Sequence, residues 1–84
     1  MLAKQNQKAY EYLRRELLRG AFLPGTRLSD YALSKKINIG RGPIREAIGR
    51  LESEGFVEQI PRHGTFVRKL DRSEIEDLYD LRIL

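Results

Sequence analysis

The sequence predicts an α+β fold of the winged helix-turn-helix kind: a three-helix core, a β-hairpin wing and a short C-terminal helix. Three observations predict it. Two helical segments meet across a four-residue turn, Ile37-Asn38-Ile39-Gly40. The later of the two carries Ile44, Ala47, Ile48 and Leu51 at the i, i+3, i+4, i+7 spacing of one packed helix face. Two β-rich runs then flank a short Pro/Gly loop, the mark of a hairpin.

The first helix is expected from Gln7 to Gly20, where Ala9, Tyr10, Leu13 and Leu17 share about one third of the circumference. Tyr10 belongs with that core stripe rather than with base-stacking residues. Gly20 is a suitable residue just past a helix end, and Arg14, Arg15 and Arg19 lie toward the negative end of the helix dipole. Pro24-Gly25 forces a turn, with Phe22 and Leu23 expected to staple back onto the core. Ser29 is the N-cap of a short second helix, with Asp30 in its first turn and Ala32, Leu33 and Ile37 as its buried side.

The third helix is expected from Arg41 to Glu54, with Pro43 in its tolerant first turn and Gly55 at its end. Beside its apolar stripe lie Arg41, Gly42, Arg45 and Gly49, a flank with two guanidiniums and almost no other bulk. A glycine inside a helix costs roughly 1 kcal/mol against alanine, so Gly49 reflects either close approach of a partner or drift. Glu46 is expected to pair with Arg50 one turn on, and Glu52 and Glu54 to be solvated. The hairpin follows as Phe56–Ile60 and Thr65–Leu70 around Pro61-Arg62-His63-Gly64, which holds Arg62 and His63 out at the tip. Ser73 then caps an acidic last helix with Glu74, Glu76 and Asp77 in its first turns.

Composition narrows the function. Eighty-four residues make one domain with a small core and exclude a two-domain enzyme. With no cysteine and a single histidine, His63, neither a disulfide nor a metal cluster can supplement that core, and no cofactor is expected. No apolar run approaches the roughly 18 residues of a membrane span, and the N-terminus has no signal-like apolar stretch, so a cytoplasmic, nucleoid-associated protein is expected. The net charge of +4 is unevenly placed: residues 1–69 hold 14 Lys/Arg against 7 Asp/Glu, and residues 70–84 hold 2 against 5. A basic body with an acidic tail suits a polyanion. No nucleophile–base pair stands out, and Gly40-Arg41-Gly42 lacks the spacing and the Lys-Ser/Thr of a phosphate-binding loop, so an enzyme is not expected.

Four stretches resemble the N-terminal DNA-binding domain of GntR-family bacterial transcription regulators, and the tail resembles the FadR-like subfamily. They are Gly20–Asp30, Arg41–Ile48, Arg50–Val57 and Pro61–Val67, in order and at matching spacing over roughly residues 10 to 70. The resemblance implies DNA contacts at Arg41, Gly42, Pro43 and Arg45 at the start of the recognition helix, and at His63 and Gly64 in the wing, beside the basic tip residue Arg62. One of Arg41 and Arg45 is expected to meet a guanine edge, the other to support it or hold a phosphate.

Departures from the family pattern are local. Gly40 stands where a Ser or Thr is usual, which removes a side-chain cap while leaving a free backbone N–H. Ser29-Asp30-Tyr31 replaces a pattern that continues into arginine, so that contact becomes at most a Tyr31 hydroxyl on phosphate. By the same resemblance, residues 1–70 form the DNA-binding domain, and residues 71–84 a linker and the start of a truncated helical effector domain without its ligand pocket. Leu78, Leu81, Ile83 and Leu84 would begin a missing interface or form a small oligomerisation surface.

The expected function is sequence-specific binding of double-stranded DNA at a two-fold symmetric operator, with a possible homodimer. The competing class is a winged helix that binds protein through its C-terminal helix, since fold alone does not decide. The excess positive charge on residues 1–69 favours DNA.

Overall fold

The computed structural model describes residues 2–69. In chain order they form α1 (Leu2–Leu18), β1 (Arg27–Leu28), α2 (Asp30–Ile37), α3 (Arg41–Ser53), β2 (Val57–Ile60) and β3 (Gly64–Val67). This is the winged helix: three helices with a small antiparallel sheet. The acidic helix expected from Ser73 and the apolar cluster at Leu78–Leu84 lie outside the described residues.

α1 starts several residues before Gln7 because nothing in Leu2-Ala3-Lys4-Gln5-Asn6 breaks a helix. Its end follows expectation. The amide of Gly20 donates to the Leu17 carbonyl at 3.2 Å and that of Ala21 to the Glu16 carbonyl at 3.0 Å, the paired bonds of a Schellman stop. Phe22 then packs against the core, but Leu23 is 74% exposed and staples nothing.

α2 is capped by Ser29, whose hydroxyl accepts from the Ala32 amide at 3.1 Å. Leu33 is its buried residue and Ile37 packs at the edge, whereas Ala32, expected inside, is exposed. With only eight residues, the helix has room for one buried row. The turn to α3 is closed locally: Asn38 adopts φ 56°, the Ile39 amide donates to the Ser34 carbonyl at 3.2 Å, and the Ser34 hydroxyl donates to the Ile39 carbonyl at 2.6 Å.

α3 supplies Ile44, Ala47, Ile48 and Leu51 to the core, which Ala9, Tyr10, Leu13 and Leu17 of α1 meet from the other side; Leu28, Leu33, Val57 and Val67 close it. Leu13, Ile44, Leu51 and Val57 are fully buried. The sheet has the order β1-β3-β2, both pairings antiparallel, with Leu28 opposite Thr65 and Val57 opposite Val67. β1 is an element that the sequence did not announce, since two residues show no periodicity. The wing loop is also one residue shorter than expected: Ile60 pairs with Gly64, which puts Gly64 in β3 and leaves Pro61, Arg62 and His63 as the loop.

Two carboxylates expected in solvent, the half-buried Glu52 and the exposed Glu54, also hydrogen-bond to neighbouring elements. Glu52 accepts from the Gln59 backbone amide at 3.0 Å and from its side-chain amide at 2.9 Å, tying β2 to α3. Glu54 accepts from the Tyr10 hydroxyl at 2.7 Å. Arg50 lies 3.7 Å from the centre of the Tyr10 ring and pairs with Glu54 at 3.8 Å. Glu46 instead accepts from Asn6 of α1 at 3.0 Å, so the expected Glu46–Arg50 pair is replaced by Arg50–Glu54. Among the described residues no helix is long and apolar enough to cross a membrane.

Candidate nucleic-acid interface

α3 begins at Gly40, whose φ of −60° and ψ of 158° fit an N-cap without any side-chain cap bond. The orphan amides of its first turn are therefore open to an outside acceptor. Pro43 is buried, apart from its exposed neighbours Arg41, Gly42 and Arg45. Its ring faces the protein and shapes the helix start, and it offers little surface to DNA.

Arg41 and Arg45 stand one turn apart with half or more of their side chains exposed, 51% and 61%. Both converge on Asp30 of α2. The Arg45 Nε donates to Asp30 Oδ2 in a short charge-assisted bond, and an Arg41 nitrogen lies 3.6 Å from Asp30 Oδ1. The Arg45 hydrogen bond, reinforced by the charges of Arg41 and Arg45 and by the Tyr31 backbone amide, outweighs partial desolvation and holds the Asp30 carboxyl below its ordinary range. Exposed pairs of this kind contribute roughly 0.2–1 kcal/mol, enough to orient two guanidiniums and too little to trap them.

Tyr31 completes the cluster. Its ring, 53% exposed, has the Lys35 ammonium 4.7 Å and the Arg41 guanidinium 5.9 Å from its centre. The ring thus serves as a platform for cations on the flank of α2, in addition to the hydroxyl that the sequence singled out.

The wing lies beside this cluster. Arg62 and His63 are exposed at its tip, Arg62 with φ 70°. The His63 amide donates to the Ile60 carbonyl at 2.9 Å, which closes a turn with Pro61 second and Arg62 third, the positive-φ place of a type II turn. At the wing's base a cleft of about 290 Å³ runs between β1, the start of α2, α3 and the sheet; Arg27, Asp30, Arg45, Gln59, Gly64 and Thr65 are among its lining residues. The structure therefore brings Arg45 and Gly64 to one cleft, with Arg41 and Tyr31 joined to it through Asp30, and carries Arg62 and His63 outward from it. Gly42 and Gly49 have open space where a Cβ would stand, so no neighbour within the fold requires either glycine.

Sequence reasoning missed Arg27 and the role of Asp30. Asp30 was visible only as an acid in a first helical turn; its partners lie across the turn on another helix, 11 and 15 residues on.

The profile of "Bacterial regulatory proteins, gntR family" matches residues 5–67 of this chain. The chain belongs to the gntR family. Among similar proteins, the HTH-type transcriptional repressor RspR of Escherichia coli K12 is 33% identical over 72 residues, covering 86% of this chain and 32% of that protein. The Nta operon transcriptional regulator of Aminobacter aminovorans is 39% identical over 61 residues, 73% of this chain and 29% of that one. Among solved structures, a putative transcriptional regulator GntR from Rhodococcus sp. RHA1 superposes with a TM-score of 0.76 at 29% identity, over 94% of this chain and 38% of that one. The chain spans about a third of the length of the curated relatives it matches. What it shares with these gntR-family proteins is a DNA-binding domain of a transcription regulator.

Proposed function

We propose that this gntR-family domain reads double-stranded DNA with the N-terminal half of α3 in the major groove and the wing at the adjacent minor groove or backbone. The observation that carries the reading is the convergence of Arg41 and Arg45, both exposed at the start of α3, on Asp30 of α2 in the wing cleft. Two forks held one turn apart match the spacing at which a helix presents successive side chains to base edges. Gly42 lets the helix start approach the groove, Tyr31 and the Gly40 amide face phosphate, and Arg62, His63 and Gly64 form the wing's contribution. Pro43 acts by shaping the helix.

Recognition helices of this kind work in pairs on two-fold sites, so a homodimer on a two-fold symmetric operator is part of the proposal, as is a cytoplasmic location at the nucleoid. Selection of sites from random duplex DNA tests it. A palindromic consensus, whose discrimination collapses in Arg45→Ala by roughly 1–3 kcal/mol, supports the reading. Recovery of no consensus, or unchanged discrimination in Arg45→Ala, overturns it.

A further inference from the structure

The cleft between α3 and the wing holds an arginine that the family resemblance does not assign. Arg27 sits on β1, opposite Phe66 of the wing's central strand. It is exposed, and among the described residues it has neither an ion pair nor a side-chain hydrogen bond, unlike Arg15, Arg19, Arg41, Arg45 and Arg50. Its guanidinium passes close to the base of the wing: a Cβ built on Gly64 would stand 2.6 Å from Arg27 Nε and 3.4 Å from Cζ. The φ of 120° at Gly64 by itself calls for glycine, and the missing Cβ leaves the Arg27 guanidinium room to lie this close.

Arg27 and Arg45 line the same cleft, and the one acid lining it is Asp30, already shared between Arg45 and Arg41. The cleft thus holds two arginines and one carboxylate, and that carboxylate is already paired with Arg45 and Arg41. The Arg27 guanidinium carries five donors in a fork that matches a phosphate or carboxylate, and among the described residues no carboxylate pairs with it. The cleft also sits between the two elements that bracket a DNA strand in the proposed docking, where the group passing through is a phosphate.

We propose that Arg27 is a phosphate ligand at the seam between recognition helix and wing, and that the bare Cα of Gly64 leaves this guanidinium room to lie across the wing. The proposal rests on the docking described above. It assigns Gly64 an indirect part: the glycine positions Arg27, and Arg27 touches the DNA.

The test uses the full chain and a labelled random-sequence duplex, with affinity measured by anisotropy over a salt series. Arg27→Ala is expected to weaken binding to all sequences alike and to make the log K against log salt slope shallower by about one. Arg27→Lys, which keeps the charge, should retain the slope. An unchanged slope in Arg27→Ala overturns the phosphate assignment.

Gly64→Ala, in wild type and in Arg27→Ala, forms the second arm. If the glycine acts through Arg27, its loss weakens binding in the first background and adds little in the second. Equal losses in both overturn the positioning role. Melting curves run alongside, and where the alanine variant fails to fold, the Arg27→Ala salt slope alone decides whether the phosphate assignment stands. Arg45→Ala separates the two levels: altered discrimination there with an unchanged slope in Arg27→Ala leaves the docking standing and removes this proposal alone.

Discussion

Asp30 is the residue on which the free state of the interface turns. Its carboxyl is held down chiefly by the hydrogen bond from Arg45, so the stability it contributes is fully present above the ordinary aspartate range, near pH 3.9. That contribution fades as pH falls through the depressed folded value. Acid titration monitored by circular dichroism should therefore show wild type losing more stability below about pH 4 than Asp30→Asn. The same variant frees Arg41 and Arg45 from their shared carboxylate. It should bind random duplex more tightly at low salt and discriminate less between specific and random sites, measured by competition. Arg62 offers a second single-residue test, because a non-glycine residue at φ 70° carries a backbone cost. Arg62→Gly should raise stability in urea melts by up to about 1 kcal/mol while weakening DNA binding. The sequence showed Arg41, Arg45 and Arg62 as exposed cations on the right elements. It could not show that Asp30 gathers two of them, because that depends on how closely α2 approaches α3.

At the scale of elements, periodicity was enough for α1 and α3, which bury a face through repeating sets such as Ile44, Ala47, Ile48 and Leu51, and two β-rich runs around a Pro/Gly loop were enough for the hairpin. It failed where an element is too short to repeat. β1 has two residues, and only its bonds to β3, with Leu28 opposite Thr65, make it a strand. Ala32 failed for a related reason: in an eight-residue helix the one inward row is filled by Leu33, with Ile37 at its edge. Glu52 was misplaced in solvent because its partner Gln59 belongs to the next element, and a glutamate near a helix end is ordinarily solvated. That carboxylate covers an amide on the outer edge of β2, a place where unpaired edge groups otherwise stand open. Glu52→Ala should cost about 1 kcal/mol of stability. Hydrogen exchange should quicken at the Gln59 amide and leave the α3 amides nearly unchanged; equal exchange in the two proteins would show that the wing is held by other means.

For the molecule as a whole, the decisive fact is a small core with little reserve. Leu51 is fully buried between α1 and the sheet, so Leu51→Ala should cost about 2–5 kcal/mol and leave a large unfolded fraction at physiological temperature, read from thermal melts. The excess charge on residues 1–69 was legible from composition, and the family resemblance gave it a face. What neither could give is how the two halves of that face are joined. β3 is bonded on both sides, to β2 and to β1, and β1 runs through Leu28 directly into the Ser29 cap and Asp30. From the strand behind the wing tip to the carboxylate that gathers the two arginines there is no intervening loop to absorb movement. In the proposed docking the wing and α3 are therefore linked through backbone as far as Asp30, so that a displacement of β3 reaches the carboxylate that gathers Arg41 and Arg45 along one short rail.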